Sequence, residues 1–334
     1  MYQFIVLLVV FSVISLAYFW VANYFNIIDK PNERSSHTQV TIRGGGIIFP
    51  IAWILYSILN GFILPWATLG LVAIAIVSFV DDRMALSTKF RFFIHLVAFT
   101  CCFLELNMFL VVPWWVIPIV YVVGIGCVNA VNFMDGINGM TGLYSLSVLL
   151  PVQYYLYNTL WNGSLLNYLM LGIMVFGFYN FRKRALFFAG DVGSVSMGYI
   201  MVFILLGFIF NRFDVDYSQS TLNISKNLHF SVHIEFILLL TLYGIDVILT
   251  LVQRLYLKEN IFEAHRKHFY QLLCNEFKKP HVLVSMFYAI IQIIINVYVF
   301  ENTVTGYFVF GLLLILTLLY AIIKHRLINS SSMR

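Results

Sequence analysis

Five aspartates stand out as groups that could do chemistry: Asp81, Asp82, Asp135, Asp191 and Asp246, a third of the fifteen acidic residues in the chain. Each falls where a long apolar run meets a polar stretch. Ionisable groups at such boundaries are costly and tend to be kept where they act. Any one of them could instead cap a helix or answer a neighbouring arginine. They come, however, from four separate parts of a chain that is only 10% charged. Gathered together they would form a polyanionic cup that needs a cation, and Mg²⁺ is the economical one, held by few carboxylates and shared with substrate phosphates.

The surroundings of each acid refine this. Val80-Asp81-Asp82-Arg83 closes one apolar run, and Lys89 and Arg91 open the next. On a helix the two aspartates diverge by about 100°, which predicts different jobs. Within NAVNFMDGINGMTG (129–142), Asn129, Asn132 and Asp135 are spaced to share a helix face, while Gly136, Gly139 and Gly142 permit close backbone approach. A glycine-lined packing seam would explain the glycines but not two amides and a carboxylate. Asp191, in AGDVGS, opens a helix. It could cap that helix, or hold a metal that holds phosphate, since helix N-termini attract phosphate; the metal is the favoured reading.

Two further segments carry cations. Asp29-Lys30-Pro31-Asn32-Glu33-Arg34-Ser35-Ser36-His37 precedes Arg43-Gly44-Gly45-Gly46, where Arg43 meets a flexible glycine run. His265-Arg266-Lys267-His268 places two histidines on one face if helical. That composition suits an oxyanion, with an amphipathic interfacial helix as the plainer alternative. A zinc site is disfavoured because no third or fourth soft ligand accompanies the pair.

The elements that must position these residues are membrane helices. The 334 residues are 61% hydrophobic, with mean hydropathy +0.89, whereas a soluble chain has roughly a quarter of its residues charged. Apolar segments long enough for lipid lie near 2–25, 44–63, 65–80, 90–107, 113–131, 138–158, 164–181, 191–210, 233–252, 281–300 and 304–323. The expected fold is an all-α polytopic membrane protein of about eleven transmembrane helices, ten if 65–80 or 109–131 is divided differently, in a single domain over 1–334. Continuous rather than alternating apolar runs exclude a β-barrel.

Charge gives the orientation. With the N-terminus outside and the C-terminus cytoplasmic, eighteen of the twenty Lys and Arg fall inside, and only Arg212 and Lys226 outside. The chemistry-bearing loops, near 26–43, 81–91, 132–142, 182–194 and 253–280, then share the cytoplasmic face. The net charge of +5 needs no nucleic acid. The first segment lacks a preceding basic residue and does not read as a cleavable signal peptide. The four cysteines show neither a disulfide framework nor metal spacing.

In order along the chain, DKPNERSSH, RGGG, the aspartate pair, NAVNFMDGINGMTG, GDVGS, Asp246 and EAHRKHFYQ resemble the polyprenyl-phosphate N-acetylhexosamine-1-phosphate transferase family, glycosyltransferase family 4, over about residues 29–275. The last element is most similar to the bacterial branch that initiates O-antigen synthesis, other branches having a more His-rich loop. The resemblance implies transfer of a sugar-1-phosphate from a UDP-N-acetyl amino sugar to undecaprenyl phosphate at the inner membrane, with membrane lipids as surroundings and Mg²⁺, or Mn²⁺ in its place, as cofactor. It implies that Asp191 coordinates the metal, that Asp81 deprotonates or orients the lipid phosphate, and that Asp82 supports the metal or that phosphate. Asn132 and Asp135, with Arg43, would bind the nucleotide-sugar, and His265, Arg266 and His268 its phosphates. Asp246 matches a family position without an assigned role. A homodimer is allowed by family analogy alone.

A transporter is the principal alternative; it would show charges near the bilayer midplane and paired repeats with broken helices. A CDP-alcohol phosphotransferase would concentrate its aspartates in one compact motif. An inactive scaffold would have little reason to retain every acid. Direct attack of the lipid phosphate is the expected route, with a phospho-aspartate intermediate as its rival; the sugar itself is not encoded legibly.

Overall fold

Long apolar runs in lipid have one economical solution, in which each segment satisfies its own backbone, and the chain takes it throughout. The computed structural model describes residues 2–31, 36, 39–157, 163–216, 221–260 and 265–331; most of the stretch Asn32–His37 therefore lies outside the described residues. In chain order the elements are α1 (Tyr2–Tyr24), β1 (Ile28–Asp29), β2 (Thr41–Ile42), a 3₁₀ turn at Gly45–Ile47, α2 (Ile48–Leu59), α3 (Pro65–Arg83), α4 (Thr88–Glu105), α5 (Met108–Val111) and α6 (Ile117–Met134). Then come α7 (Met140–Tyr157), α8 (Leu165–Asn180), α9 (Gly190–Ile209), β3 (Phe213–Asp216), β4 (Thr221–Ile224), a 3₁₀ stretch Ile234–Leu240 running into α10 (Thr241–Tyr256), α11 (Phe269–Gln271), a π turn Leu272–Glu276, α12 (His281–Glu301) and α13 (Gly306–Ser331).

Every one of the eleven apolar segments coincides with a helix. Among the described residues, seven helices are long and apolar enough to cross a membrane, and Gly45–Leu59 and Leu165–Asn180 are shorter apolar helices. The fold is an all-α polytopic membrane protein. The only sheets among the described residues are two antiparallel pairs, β1–β2 (Ile28↔Ile42) and β3–β4 (Phe213↔Ile224).

Helix α9 is the axis of the bundle. It is apolar all round, as a fully enclosed helix must be, and 94% of its spanning window is buried, against 17% for α1 and 6% for α13. The latter two present apolar side chains outward, such as Val9 and Leu318, as lipid-facing helices do. Aromatic contacts lock α9 to its neighbours: Phe203 meets Trp53 of α2 edge-on at 5.4 Å, and Tyr199 meets Phe99 of α4 at 5.9 Å.

Caps fix the helix ends where side chains can reach. Ser87 accepts from Phe90 N at the start of α4, and Ser164 with Asn167 forms a capping box on α8. Pro65 starts α3, where the missing N–H costs nothing, and the Glu105 carboxylate accepts from Ala67 N at 3.0 Å.

At that same end, Arg212, an exception to the charge pattern, is fully buried. Its guanidinium donates to the carbonyls of Leu106 (2.9 Å), Ser225 and Asn227, tying the β3–β4 hairpin to the end of α4. Arg212→Leu would strand those carbonyls, each worth about 1–3 kcal/mol. We expect a clearly lower thermal midpoint in detergent; an unchanged midpoint would show that the clamp carries no stability.

Candidate active site

The opposite end collects the β1–β2 pair, the turns after α3 and α6, the approach to α9 and the described residues after α10. The glycine run is what brings two of them together. Phe188 N donates to Ile42 O (2.8 Å), Gly45 N to Phe188 O (2.8 Å) and Gly46 N to Ala189 O (3.0 Å), so RGGG lies directly along the approach to α9. A Cβ on Gly46 would fall 2.4 Å from Gly193 Cα. Gly190 has φ +71°, and a Cβ there would fall 2.7 Å from Asp82 Oδ2. Only glycine permits both approaches.

That contact seats Arg43 between two acids. Its Nε lies 2.6 Å from Asp82 Oδ1 and its Nη2 2.9 Å from Asp191 Oδ1. Burial alone would lower the guanidinium pKa, but the Asp82 and Asp191 charges hold it above its ordinary value.

The adjacent aspartates do diverge. The Asp82 side chain is buried and caps α9: its Oδ1 accepts from Asp191 N (3.0 Å) and its Oδ2 from Val192 N (3.1 Å). A carboxylate there also suits the positive end of the helix dipole. Asp82, expected to support metal or substrate, has both oxygens engaged in holding α9 and Arg43. Asp81 turns the other way. Its Oδ1 accepts from Leu86 N (2.7 Å) and its Oδ2 from Arg91 Nη1 (2.7 Å).

Two cavities result, separated by a shared wall. The larger, about 430 Å³, is lined by Arg43, Asn132, Asp135, Asp191, Tyr270 and Gln271, among others. The smaller, about 110 Å³, contains Asp81, Arg91, His95 and Asn129. Asn132 and Asp191 line both. Ser194 Oγ donates to Asn132 Oδ1 (2.6 Å), fixing the amide on the wall. Asp135 accepts from Thr141 Oγ1 (2.5 Å). Its carboxyl is pushed up to about 7 by burial and by the Asp191 and Asp82 charges, against the Thr141 hydrogen bond and Arg43.

Five acids gather here, Asp29, Asp81, Asp82, Asp135 and Asp191, against the two guanidiniums of Arg43 and Arg91. The excess negative charge and all-oxygen donor set fit a hard divalent cation. Among the described residues no three His, Cys, Asp or Glu side chains converge to hold a metal by themselves, so substrate oxygens would have to complete the shell, as is usual for Mg²⁺. Asp191 and Asp135 are the candidate ligands.

The histidine loop is placed differently from expectation. Among the described residues, His265, Arg266 and His268 are not in the lining of the larger cavity; Tyr270 and Gln271 are. His268 Nδ1 instead lies 3.1 Å from buried Asp246 Oδ1. Asp246 also accepts from Tyr288 Oη (2.6 Å), Tyr320 Oη (2.7 Å), Phe269 N (3.2 Å) and Thr250 Oγ1 (3.2 Å). His265 is half-buried, and burial, then the charges of His268 and Arg254, lower its pKa to about 4. The loop reaches the cavity through Tyr270, whose hydroxyl donates to Phe133 O (3.0 Å). Tyr270 and Gln271 belong to the EAHRKHFYQ element but were assigned no role from sequence, and His95, a single histidine in an apolar run, carried no signal.

Residues 64–209 match the model of glycosyl transferase family 4. A stretch of 202 residues is 29% identical to the probable undecaprenyl-phosphate N-acetylglucosaminyl 1-phosphate transferase of Bacillus subtilis (strain 168), covering 54% of this chain and 55% of that protein. A longer stretch of 313 residues is 24% identical to the undecaprenyl-phosphate alpha-N-acetylglucosaminyl 1-phosphate transferase of Yersinia pestis, covering 84% and 80%. The phospho-N-acetylmuramoyl-pentapeptide-transferase of Thermotoga neapolitana is 26% identical over 174 residues, 46% of this chain and 56% of that one. Against the Bacillus and Thermotoga relatives the matched region spans about half their length.

Proposed function

We propose that this chain, whose residues 64–209 match the model of glycosyl transferase family 4, is a member of that family and transfers N-acetylhexosamine-1-phosphate from a UDP-sugar to undecaprenyl phosphate. One observation carries the reading beyond the resemblance: a large polar cavity and a small one share the Asn132–Asp191 wall. A nucleotide-sugar needs the volume of the first, and a single phosphate needs only the second. In the reaction an oxygen of the lipid phosphate bonds to the β-phosphorus of the donor. The bond from that phosphorus to the bridging oxygen breaks, and UMP leaves with the bridging oxygen and its electron pair.

The residues divide the work by position. Arg43 faces the donor side and neutralises its diphosphate, while Asn132 and Asp135 orient it. Arg91, held by Asp81, meets the acceptor phosphate, so Asp81 acts by orienting. Asp82 keeps α9 and Arg43 in register. Asp191 and Asp135 would hold Mg²⁺, which would supply charge neutralisation for the phosphates in this chemistry. The site lies on the cytoplasmic face of a bacterial inner membrane, and the product initiates O-antigen or another surface polysaccharide.

The test uses purified protein, undecaprenyl phosphate, Mg²⁺ and a panel of UDP-N-acetyl sugars, with UMP and lipid product read by mass spectrometry. We expect UMP and a diphosphate-linked lipid sugar for at least one donor, and both lost in excess EDTA and restored by Mg²⁺. Turnover that persists in EDTA would refute the metal; no turnover with any donor, from folded protein, would refute the transfer.

A further inference from the structure

The small cavity contains a histidine that nothing above uses. His95, on the inward face of α4, is 8% exposed, and its Nδ1 lies 2.7 Å from Arg91 O. A carbonyl only accepts, so Nδ1 carries the hydrogen. That leaves Nε2 buried with no partner among the described residues, on a ring that lines the cavity. Arg91 Nε, in the same cavity, is likewise buried without a partner. Buried polar atoms are nearly always satisfied, and an unsatisfied one costs about 1–3 kcal/mol. Two of them in one cavity point to a missing polar ligand.

Its chemistry follows from the wall. Arg91 Nε is a fixed donor. His95 Nε2 can share one proton with a ligand oxygen, whichever of the two atoms carries it. At about 110 Å³, against about 430 Å³ for the larger cavity, this cavity suits a tetrahedral oxyanion rather than a nucleotide-sugar. We propose that His95 and Arg91 form the subsite for the phosphate head of the acceptor, with His95 a binding residue in contact with a phosphate oxygen. The Asp81 ion pair holds Arg91 in place, and the Asn132–Asp191 wall divides this phosphate from the donor. The assignment of the head to a lipid rests on the transfer reading; the oxyanion subsite itself does not.

His95→Phe keeps an aromatic side chain and removes both nitrogens, and His95→Gln returns a polar atom near the Nε2 position. With donor saturating, we expect His95→Phe to raise KM for undecaprenyl phosphate about tenfold or more, KM for the UDP-sugar to stay within about twofold, and His95→Gln to recover much of the loss. Equal change in both constants, or none, in folded protein would overturn the proposal. A binding arm needs no turnover. The thermal midpoint of wild type should rise with micromolar undecaprenyl phosphate, and with inorganic phosphate only at far higher concentration; both shifts should vanish in His95→Phe. If the phosphate shifts survive in His95→Phe, the subsite is wrong even where transfer is real. If wild type turns over no donor yet loses its phosphate shifts on His95→Phe, the subsite stands and the transfer reading fails.

Discussion

Asp191→Ala should bring UMP release down by about 10³-fold or more while leaving the protein folded. The size follows from what the side chain does at once. It stands on the wall common to both cavities, accepts from Arg43 at 2.9 Å, and is a candidate cation ligand beside Asp135. Removing one preorganised electrostatic group from an acyl-transfer site typically costs about 10²–10³, and here the proposed metal ligand and an arginine anchor would go together. Stability should suffer less, because Asp191 is not the group that caps α9; Asp82 does that through the Asp191 and Val192 amides. Asp191→Asn separates the contributions: it keeps an acceptor for Arg43 and loses the charge. Single-turnover assays at saturating Mg²⁺ are the measurement. Activity within tenfold of wild type for Asp191→Ala would remove this residue from the site.

Positions near in sequence were legible, and partners far apart were not. The eleven apolar runs each became a helix, because apolarity over some 20 residues in lipid leaves the backbone no alternative. The divergence of Asp81 and Asp82 followed from helical geometry, whereas Asp135, expected on one helix face with Asn129 and Asn132, lies just past the last residue of α6 (Met134) and reaches the cavity beside Asn132 from the turn that follows. What Asp82 would do was not legible: its partners are the Asp191 and Val192 amides and Arg43, all set by tertiary packing. For the same reason His268 read as a phosphate ligand. Two histidines among cations suggest an oxyanion, and only the fold shows the nearest charge to be Asp246. His95 is the reverse case. On sequence it was one histidine in an apolar helix, and its interest lies entirely in an unpartnered nitrogen.

Asp246, the acid whose role the sequence left open, leads to the largest expected loss of stability. Its carboxylate is fully buried, yet it accepts from Tyr288 on α12, Tyr320 on α13, His268 and Phe269 N at the histidine loop, and Thr250 one turn along α10. Lys324 Nζ, also buried, donates to that Thr250 (2.9 Å) and brings a cation to the edge of the network. A buried charge is costly unless its hydrogen-bonding capacity is filled, and this carboxylate accepts from five donors. Asp246→Ala would leave two tyrosine hydroxyls, a histidine and an amide without their acceptor, and Lys324 without the anion nearest to it. Breaking a buried pair by removing one partner costs about 3–5 kcal/mol. The effect should extend to turnover, because Tyr270 and Gln271 follow His268 and Phe269, both bonded to Asp246, and line the larger cavity. We therefore expect a large fall in thermal midpoint for Asp246→Ala, a raised KM for the UDP-sugar, and faster amide exchange over 265–276. Asp246→Asn, which keeps one oxygen acceptor, should lie between. If Asp246→Ala retained the wild-type midpoint and the wild-type donor KM, the network would be neither a staple for the loop nor a support for the donor site.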